Sequence, residues 1–279
     1  MIARRVRTSV RRYVERHYPV LAQTYRATRD FWNFQGQEPR LTPHGFRFVH
    51  PSGAVGLEPE ETALFLRLLD RVEVVIDIGA NVGWYTLLAR AAGKQCIAVE
   101  PLDSNLRYLH RNLLENGWQD VEVHPVALSA RPGVGLLYGG GTGASLVAGW
   151  AESSLGYRTP VALTTLDALA GSRFAGEGLL IKIDAEGSEF HILQGAPCLL
   201  AMLPPPLWIV EISLTEHHPG GLNPLYQQTF EFFFSNGYSA WTASLRQPRP
   251  VLPDDVSRWV RVPSCGCGGH NFLFRREMQ

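Results

Sequence analysis

The chain between residues 58 and 236 alternates short apolar runs with longer amphipathic stretches, and this alternation constrains the fold more than any other feature. Short apolar runs predict strands, and apolar residues spaced three or four apart predict helices. The predicted strands are 73–78, 95–100, 121–128, a short run near 160–163, 178–184 and 207–213. The predicted helices are 58–71, 83–92, 103–116, 187–201 and 223–236. Such alternation indicates a parallel sheet with helices on both faces.

Two segments depart from this pattern. The excursion "LLYGGGTGASLVAGWAESSLGYRTP", richest in glycine at 133–143, has too many glycines for a core element. It predicts either a mobile loop or a flap over a ligand pocket, with Tyr138, Trp150 and Tyr157 as its contact surface. Near the end, "GYSAWTAS" and "HNFLFRR" predict two strands joined by a segment without the helical pattern of a crossover. We therefore expect an antiparallel pair at the sheet edge.

The length and composition predict one large domain with an appendage. A chain of 279 residues, 45% of them hydrophobic, can bury a substantial core. The first 16 residues hold six arginines beside apolar residues at helical spacing, and a strand and turn follow before residue 55. We predict a basic helical segment with a strand and turn at 1–55 and the main domain at 56–279. The basic helix could dock on its own domain, on another chain or on a membrane surface.

Charge and hydropathy exclude several classes of protein. The formal net charge is zero, so a nucleic-acid partner is not expected. No run of 18 apolar residues predicts a membrane span, and the basic start lacks the apolar segment of a secretory signal, so we expect a cytoplasmic protein. The four cysteines do not suggest a disulfide framework. "CGCGGH" (Cys265, Cys267, His270) predicts a glycine-rich turn, because its spacing does not match the common zinc sites.

The stretch "VVIDIGANVGWYT" (74–86) runs from a predicted strand through a glycine-spaced turn into a helix. In open parallel sheets, ligands bind at the carboxyl ends of the strands, where this turn lies. The dinucleotide fingerprint G-x-G-x-x-G requires glycines for close approach to the pyrophosphate and for helix–strand packing. Asn81 and Trp84 occupy those two glycine positions. The sequence therefore disfavours NAD on steric grounds.

The pattern that remains is D-x-G-x-N-x-G, formed by Asp77, Gly79, Asn81 and Gly83, with Glu100 at the end of the next predicted strand. An acidic residue at that position can accept hydrogen bonds from both hydroxyls of a ribose. The negative charge of Asp77 disfavours a pyrophosphate and favours a cationic ligand. A ligand with a ribose, no phosphate and a positive centre is S-adenosylmethionine. The alternative for Asp77 is a cap of the following helix.

Several segments together resemble the FkbM-type methyltransferases, a branch of the class I S-adenosylmethionine-dependent enzymes. The resemblance spans roughly residues 72–275 and is carried by "VVIDIGANVGWYTLLA", "CIAVEPLDSNLRYLHRNLLENG", "VALS", "TTLDAL", "LLIKIDAEGSEFHILQGA" and "WIVEIS". It implies a Rossmann-like fold with a mostly parallel, seven-stranded sheet whose last strand is antiparallel.

The resemblance also implies roles for individual residues around the cofactor. Those expected around its methionine part are Asp77, Gly79, Asn81 and Gly83. Glu100 is expected to bind the ribose. The residues expected to border the adenine are Pro101 and Leu102 on one side and Ala127 and Leu128 on the other.

A second acidic cluster lies in "LLIKIDAEGSEF" (179–190), at the same predicted edge of the sheet. A hydroxyl acceptor must lose its proton during methyl transfer, and a carboxylate or a histidine can accept it. Asp184 and Glu186 are the leading catalytic candidates, and His217 or His218 is the alternative. A divalent metal ion such as Mg²⁺, bound by Asp184, Glu186 and Glu211, is another way to activate the acceptor, but we do not favour it.

Part of this cluster has a structural interpretation. Lys182 and Glu211 each fall within a predicted strand, so an ion pair between neighbouring strands is expected. Glu189 fits the first turn of a helix, where the helix dipole favours an acidic residue.

We therefore expect a methyltransferase that uses S-adenosylmethionine to methylate an oxygen of a small molecule or a glycan, in a biosynthetic pathway. The arginine-, alanine- and glycine-rich composition suits a bacterial enzyme. The alternative is a non-catalytic cofactor-binding or scaffolding protein with the same fold. The sequence leaves open the acceptor and the oligomeric state, including a homo-oligomer.

Overall fold

From residue 40 onward, the described part of the chain contains thirteen strands, eight α-helices and two short 3-10 helices, Gly141–Gly143 and Trp150–Glu152. The computed structural model describes residues 14, 18, 21, 25, 34–54, 56–245, 247–263 and 269–277. The strands are β1 (Arg40–Leu41), β2 (Arg47–Phe48), β3 (Val74–Ile78), β4 (Gln95–Val99), β5 (Glu122–His124), β6 (Ala127–Leu128), β7 (Gly133–Tyr138), β8 (Arg158–Thr164), β9 (Leu179–Ile183), β10 (Leu207–Glu211), β11 (Ser239–Thr242), β12 (Pro250–Val251) and β13 (Asn271–Arg275). The helices are α1 (Pro59–Leu69), α2 (Trp84–Ala91), α3 (Asp103–Glu115), α4 (Leu166–Leu169), α5 (Glu189–Gln194), α6 (Pro197–Ala201), α7 (Tyr226–Ser235) and α8 (Pro253–Arg261).

Eight of these strands form one sheet in the order β12-β11-β13-β10-β9-β3-β4-β5. The strands β5, β4, β3, β9 and β10 are parallel, so their carboxyl ends lie along one edge. β13 runs antiparallel between β10 and β11. The predicted Rossmann-like, mostly parallel fold with an antiparallel last strand is confirmed. The sheet has one strand more than the seven expected, because β12 pairs with the edge of β11.

The central strand β3 is buried on both faces because helices cover both sides of the sheet. Val74, Ile76 and Ile78 contribute to a core cluster on one face. Val75 belongs to the cluster on the other face, which also contains Trp84. Burying an aliphatic side chain of this size contributes about 1.5–3 kcal/mol. The nearly continuous apolar sequence that predicted this strand, interrupted only by Asp77, is therefore explained by burial on two sides.

Two predicted elements are each divided in the structure. The run 121–128 forms β5 in the large sheet and β6 in a separate three-stranded sheet, rather than one strand. The predicted helix 187–201 is broken into α5 and α6 around Gly195, and Pro197 begins α6. A Cβ on Gly195 would lie 2.4 Å from the carbonyl oxygen of Ser129, so a larger residue is sterically excluded there.

The start of the glycine-rich excursion is a strand and not a loop. β7 pairs antiparallel with β8, which pairs parallel with β6, and the three form the small sheet. The expectation of an unstructured loop at 133–143 is therefore wrong for residues 133–138. Only Leu137 of β7 is buried, and this exposure is consistent with the weak apolar pattern of the strand.

The end of the chain also differs from the expectation. α8 separates β12 from β13, and its buried residues are Val256 and Trp259. The two strands predicted there correspond to β11 and β13, which pair antiparallel as expected, but β13 lies inside the sheet instead of at its edge.

The hairpin formed by β1 and β2 packs on α3. The backbone N–H of Val49 donates to Asn112 Oδ1 at 2.7 Å, and Asn112 Nδ2 donates back to the carbonyl of Val49 at 3.0 Å. Phe46 and Phe48 are each 1% exposed and contact Trp84. Most of the predicted basic helix lies outside the described residues, and the boundary predicted at residue 55 stays a prediction. Among the described residues, no helix is long and apolar enough to cross a membrane.

Candidate active site

A cavity of about 420 Å³ opens at the carboxyl edge of the parallel strands. Its volume falls within the range of about 300–1,000 Å³ that is usual for small-molecule sites. The walls come from the turn after β3, the ends of β4, β6 and β10, and the loop after β9. Further parts of the wall come from the helices α2, α3 and α5, from Leu137 of β7, and from two other segments, which contribute His50, Leu57 and Glu58 and Gly141, Thr142, Ala144 and Leu146.

The two glycines of the turn are required by contacts within the protein. Gly79 lines the cavity with a φ of 77°, and a Cβ there would lie 1.8 Å from the carbonyl oxygen of Asp184. Gly83 has a φ of 95°, and a Cβ would lie 2.5 Å from Leu109 Cδ1. Both positions also have the left-handed conformation that favours glycine. Gly83 does not line the cavity.

Asn81 and Glu100 meet in the cavity wall, at the ends of the neighbouring strands β3 and β4. The backbone N–H of Asn81 donates to Glu100 Oε2 at 2.8 Å, and that of Leu102 donates to Oε1 at 2.8 Å. Asn105 Nδ2 lies 3.4 Å from Oε1. Burial raises the pKa of Glu100 to about 7, although these donors favour the charged form and lower it. The side-chain oxygen of Asn81 is buried and has no hydrogen-bond partner among the described residues.

Asp77 lies behind the turn and does not line the cavity. Its Oδ2 accepts from the backbone N–H of Thr86 at 2.9 Å and from the Thr86 hydroxyl at 2.6 Å. Thr86 lies in the first turn of α2, where Gly83 at the N-cap has no side chain to accept a hydrogen bond. Asp77 therefore caps α2 from the neighbouring strand. Burial raises the pKa of this carboxyl group.

Of the four residues predicted to border an adenine, three line the cavity. They are Pro101, Ala127 and Leu128. Leu102 does not line it, and instead packs with Leu137 and Val161 in a small cluster beneath the three-stranded sheet.

Among the described residues that line the cavity, Lys182 is the only lysine or arginine. Its ammonium group lies 2.8 Å from Asp184 Oδ2 and 4.4 Å from the centre of the Tyr85 ring. The Tyr85 hydroxyl donates to Glu58 Oε2 at 2.6 Å. Lys182 therefore pairs with Asp184, and the ion pair predicted with Glu211 does not form. Burial lowers the pKa of Lys182, but Asp184 and the other nearby carboxylates raise it by more, so the lysine stays charged.

Glu186 lies beside Asp184 in the cavity wall, with a left-handed φ of 50°. Its Oε2 accepts from the indole N–H of Trp150, and its carbonyl accepts from the Ser145 hydroxyl at 2.6 Å. Burial, followed by the negative charge of Asp184, raises the pKa of Glu186 to about 7. A group with this pKa exchanges its proton readily near neutral pH.

Two further acidic residues surround this pair. Glu211 lines the cavity at the end of β10, and the charge of Asp184, together with burial, raises its pKa. Glu189 is buried in the first turn of α5 and accepts from the backbone N–H groups of Gly187 at 2.9 Å and Ala185 at 3.3 Å. Glu189 therefore holds the loop after β9, in addition to the favourable dipole interaction expected there.

The two histidines after β10 do not line the cavity. His217 is exposed, and its ring centre lies 6.1 Å from that of Trp150. His218 is 6.2 Å from the same ring, and burial lowers its pKa. Both imidazoles thus contact the outer side of Trp150, whereas Glu186 accepts its indole N–H.

The family model described as "Methyltransferase FkbM domain" matches residues 77–240, more than half of the chain. The chain belongs to the FkbM methyltransferase family. The match runs from Asp77 to β11 and includes Glu100, Asp184 and Glu186. The sequence shows no significant similarity to a curated protein.

Solved structures similar to this FkbM domain are methyltransferases of low sequence identity. One is an O-methyltransferase from Bacillus cereus in complex with SAH, with 13% identity, 95% of this chain and 96% of that chain covered, and a TM-score of 0.41. Another is the O-methyltransferase TomG from Streptomyces achromogenes in complex with SAM, with 13% identity, coverages of 78% and 80%, and a TM-score of 0.43. A ribosomal protein L11 methylase from Lactobacillus delbrueckii has 12% identity, coverages of 78% and 78%, and a TM-score of 0.41.

The cavity of the FkbM domain is also lined by residues that the sequence did not single out for it. His50 and Glu58 lie outside the segments that carried the resemblance, and Tyr85 lies inside one of them, on the buried part of α2. Asn105 lies in the first turn of α3, where its amide contacts Glu100 and also donates to the carbonyl of Gly141 at 3.3 Å. A polar residue on the buried face of an amphipathic helix was the available signal for Asn105.

Among the described residues of the domain, no group of three or more His, Cys, Asp and Glu side chains is arranged to hold a metal ion. Cys265 and Cys267, which were considered for zinc, lie outside the described residues.

Proposed function

We propose that this FkbM domain transfers a methyl group from S-adenosylmethionine to an oxygen atom, in a hydroxyl group of a small molecule or a glycan. The observation that carries the proposal is that one cavity contains two distinct polar ends. Glu100 and the side-chain oxygen of Asn81, which has no partner among the described residues, lie at one end, after β4 and β3, and Asp184, Glu186 and Glu211 lie at the other, at the carboxyl ends of β9 and β10. The first end suits a nucleoside, and the second suits removal of a proton.

The residues of the first end fit the chemistry of the cofactor. Glu100 would accept hydrogen bonds from ribose hydroxyls, and the oxygen of Asn81 would accept one from a donor group that no described residue supplies. The apolar surfaces of Pro101, Ala127 and Leu128 would border the adenine. Because Gly79 has no side chain, its backbone would be accessible to the methionine part of the cofactor.

The charge of the cavity wall also fits a positively charged ligand such as S-adenosylmethionine. Among the described residues, its wall carries the carboxyl groups of Glu58, Glu100, Asp184, Glu186 and Glu211 and one ammonium group, that of Lys182. An excess of acidic groups around a low-dielectric site favours a cation over an anion. The cofactor supplies a methyl group on a positively charged sulfur atom, which is the charge type that this wall favours.

In the proposed reaction, Glu186 accepts the proton of the acceptor hydroxyl while the oxygen lone pair forms the new bond to the methyl carbon. The carbon–sulfur bond breaks, and its electron pair stays on sulfur. Asp184 is bound to Lys182, so its charge is already balanced, whereas no lysine or arginine among the described residues forms an ion pair with Glu186. Glu186 is therefore the better base, and holding the acceptor in line supplies much of the remaining rate enhancement.

The test has a binding part and a turnover part. Calorimetric titration with S-adenosylmethionine, S-adenosylhomocysteine and NAD should show binding of the first two only. Release of S-adenosylhomocysteine is then measured over a panel of hydroxyl-bearing small molecules and glycans. Glu186→Gln should bind the cofactor as the wild type does and lose turnover about a hundredfold or more, a loss typical of a removed general base.

Glu277→Gln is the matched control, because this glutamate is exposed and does not line the cavity. Absence of cofactor binding by the folded protein would refute the proposal. Binding without turnover of any acceptor, equally in wild type and Glu186→Gln, would favour the non-catalytic alternative.

A further inference from the structure

Trp150, in the segment between β7 and β8, contacts Glu186, in the loop after β9. The indole is 2% exposed, and its N–H donates to Glu186 Oε2. Gly187 provides the space, since a Cβ there would lie 2.6 Å from the indole ring. The long segment between β7 and β8 therefore inserts its tryptophan over the residue that follows Glu186.

A second contact fixes the backbone of Glu186. The hydroxyl of Ser145 donates to the Glu186 carbonyl at 2.6 Å and accepts from the backbone N–H of Val147 at 2.8 Å. Ser145 is 1% exposed. Glu186 has a left-handed backbone, which is costly for a residue other than glycine. The same segment thus holds both the backbone and the carboxylate of Glu186.

The two carboxylate oxygens are consequently not equivalent. Oε2 accepts the indole N–H, whereas Oε1 has no hydrogen-bond partner among the described residues. We propose that Trp150 is a positioning residue, which fixes Oε2 of Glu186 so that Oε1 is the oxygen that takes the proton of the acceptor. This inference rests on the proposed function, because it presumes that Glu186 is the base.

Other charged groups also face Glu186 and must be considered in its titration. They are Lys182 and Asp184 at β9, Glu189 on α5, Glu211 on β10, and His217 and His218 behind the indole. Replacing Trp150 by phenylalanine leaves all of these groups in the protein. It keeps an aromatic ring over Gly187 and removes the N–H.

The test is the titration of Glu186 in Trp150→Phe. A hydrogen bond to a carboxylate stabilises its charged form, so its loss should raise the pKa of Glu186 by about one to two units. The acid limb of the kcat–pH profile should move upward by the same amount, and kcat at pH 7 should fall about fivefold or more. The Kd of S-adenosylmethionine should not change.

The pKa is read from the carboxyl resonance of ¹³C-labelled glutamate in the full chain, assigned by its disappearance in Glu186→Gln. This readout does not require an acceptor, so it separates failure of the inference from failure of the proposed function. If Trp150→Phe does not fold, 3-benzothienylalanine at position 150 keeps the shape of the indole and replaces its N–H by sulfur. Trp259→Phe is the matched control, because Trp259 is also largely buried and does not line the cavity.

A raised Glu186 pKa with an equally displaced acid limb, absent from the control, supports the inference. In the Glu186→Gln background, Trp150→Phe should change the residual turnover by less than about twofold, because the two residues act as one unit. An unchanged Glu186 pKa, an acid limb that stays in place, or a full effect of Trp150→Phe in the Glu186→Gln background would each overturn it.

Discussion

The substitution Glu100→Gln should separate the stability of the fold from cofactor binding. Both oxygens of Glu100 accept a backbone N–H, one from Asn81 and one from Leu102. A glutamine has one oxygen and one amino group, so in either orientation one of these donors faces another donor. At the same time, the variant no longer has to bury a carboxylate.

The gain in stability from removing the buried carboxylate follows from the pKa of Glu100. Burial raises the pKa of Glu100 from 4.5 to about 7. The folded state binds the proton of this carboxyl group more tightly than the unfolded state does. The resulting stabilisation of the fold is fully present below pH 4.5 and is lost as the pH rises through 7. A difference of 2.5 units corresponds to about 3 kcal/mol. Glutamine does not titrate, so relative to wild type the variant should gain about 3 kcal/mol in free energy of unfolding between pH 4.5 and pH 8.

The assay is urea unfolding of both proteins at several pH values from 4.5 to 8, with Glu277→Gln as the control. Binding is measured on the same samples by calorimetry. Replacing the charged acceptor should weaken binding of S-adenosylmethionine about tenfold to hundredfold at pH 8. Stability curves that stay parallel over this pH range would refute the account of Glu100 as a buried carboxylate, and an unchanged Kd would refute its role with the ribose.

Three further predictions concern the residues around the turn. Lys182→Met should lower the free energy of unfolding by about 3–5 kcal/mol at pH 7, because it leaves the carboxylate of Asp184 without its cation. Urea unfolding measures this loss, and a loss below about 1 kcal/mol would contradict the prediction. Gly83→Ala should destabilise the domain by about 2 kcal/mol or more, through its positive φ and the clash with Leu109. Part of that loss should disappear in a Leu109→Ala background, and equal losses in both backgrounds would argue against the clash. Gly79→Ala should prevent folding, because the added Cβ meets the backbone carbonyl of Asp184, which cannot rotate away as a side chain can. Soluble yield and circular dichroism measure this, and a well-folded variant would refute it.

The sequence predicted the parallel part of the fold well because strands such as β3 and β9 are buried on both faces. A continuous apolar run bounded by polar turns then has few other interpretations. The division of 187–201 into two helices could not be predicted in the same way. It depends on the close approach of Gly195 to the carbonyl of Ser129, which lies far away in the sequence.

The sequence predicted which acidic residues belong to the candidate site, but not the ion pairs and hydrogen bonds that these residues form. The order of strands brings Glu100, Asp184 and Glu186 to one edge, and that order follows from the alternation of elements. Period 2 places Asp184 on the same face as Lys182, and the register of β9 and β10 brings Glu211 to that face as well. Which of the two carboxylates pairs with Lys182 depends on their exact distances, which periodicity does not encode. Trp150 was considered only as contact surface of a flap, because nothing local indicates that its indole reaches Glu186.

The position of β13 has a consequence for the order in which the sheet is completed. This strand joins β10 to β11, yet it follows both of them in the chain. Until it is in place, β10 presents an open edge that carries Trp208, Ile209 and Val210, and an apolar edge of this kind can pair with another chain. The most aggregation-prone interval in the synthesis of this protein should therefore fall between the completion of β10 and the arrival of β13. Changes that delay the docking of β13, even without altering the finished fold, should lower the yield of soluble protein.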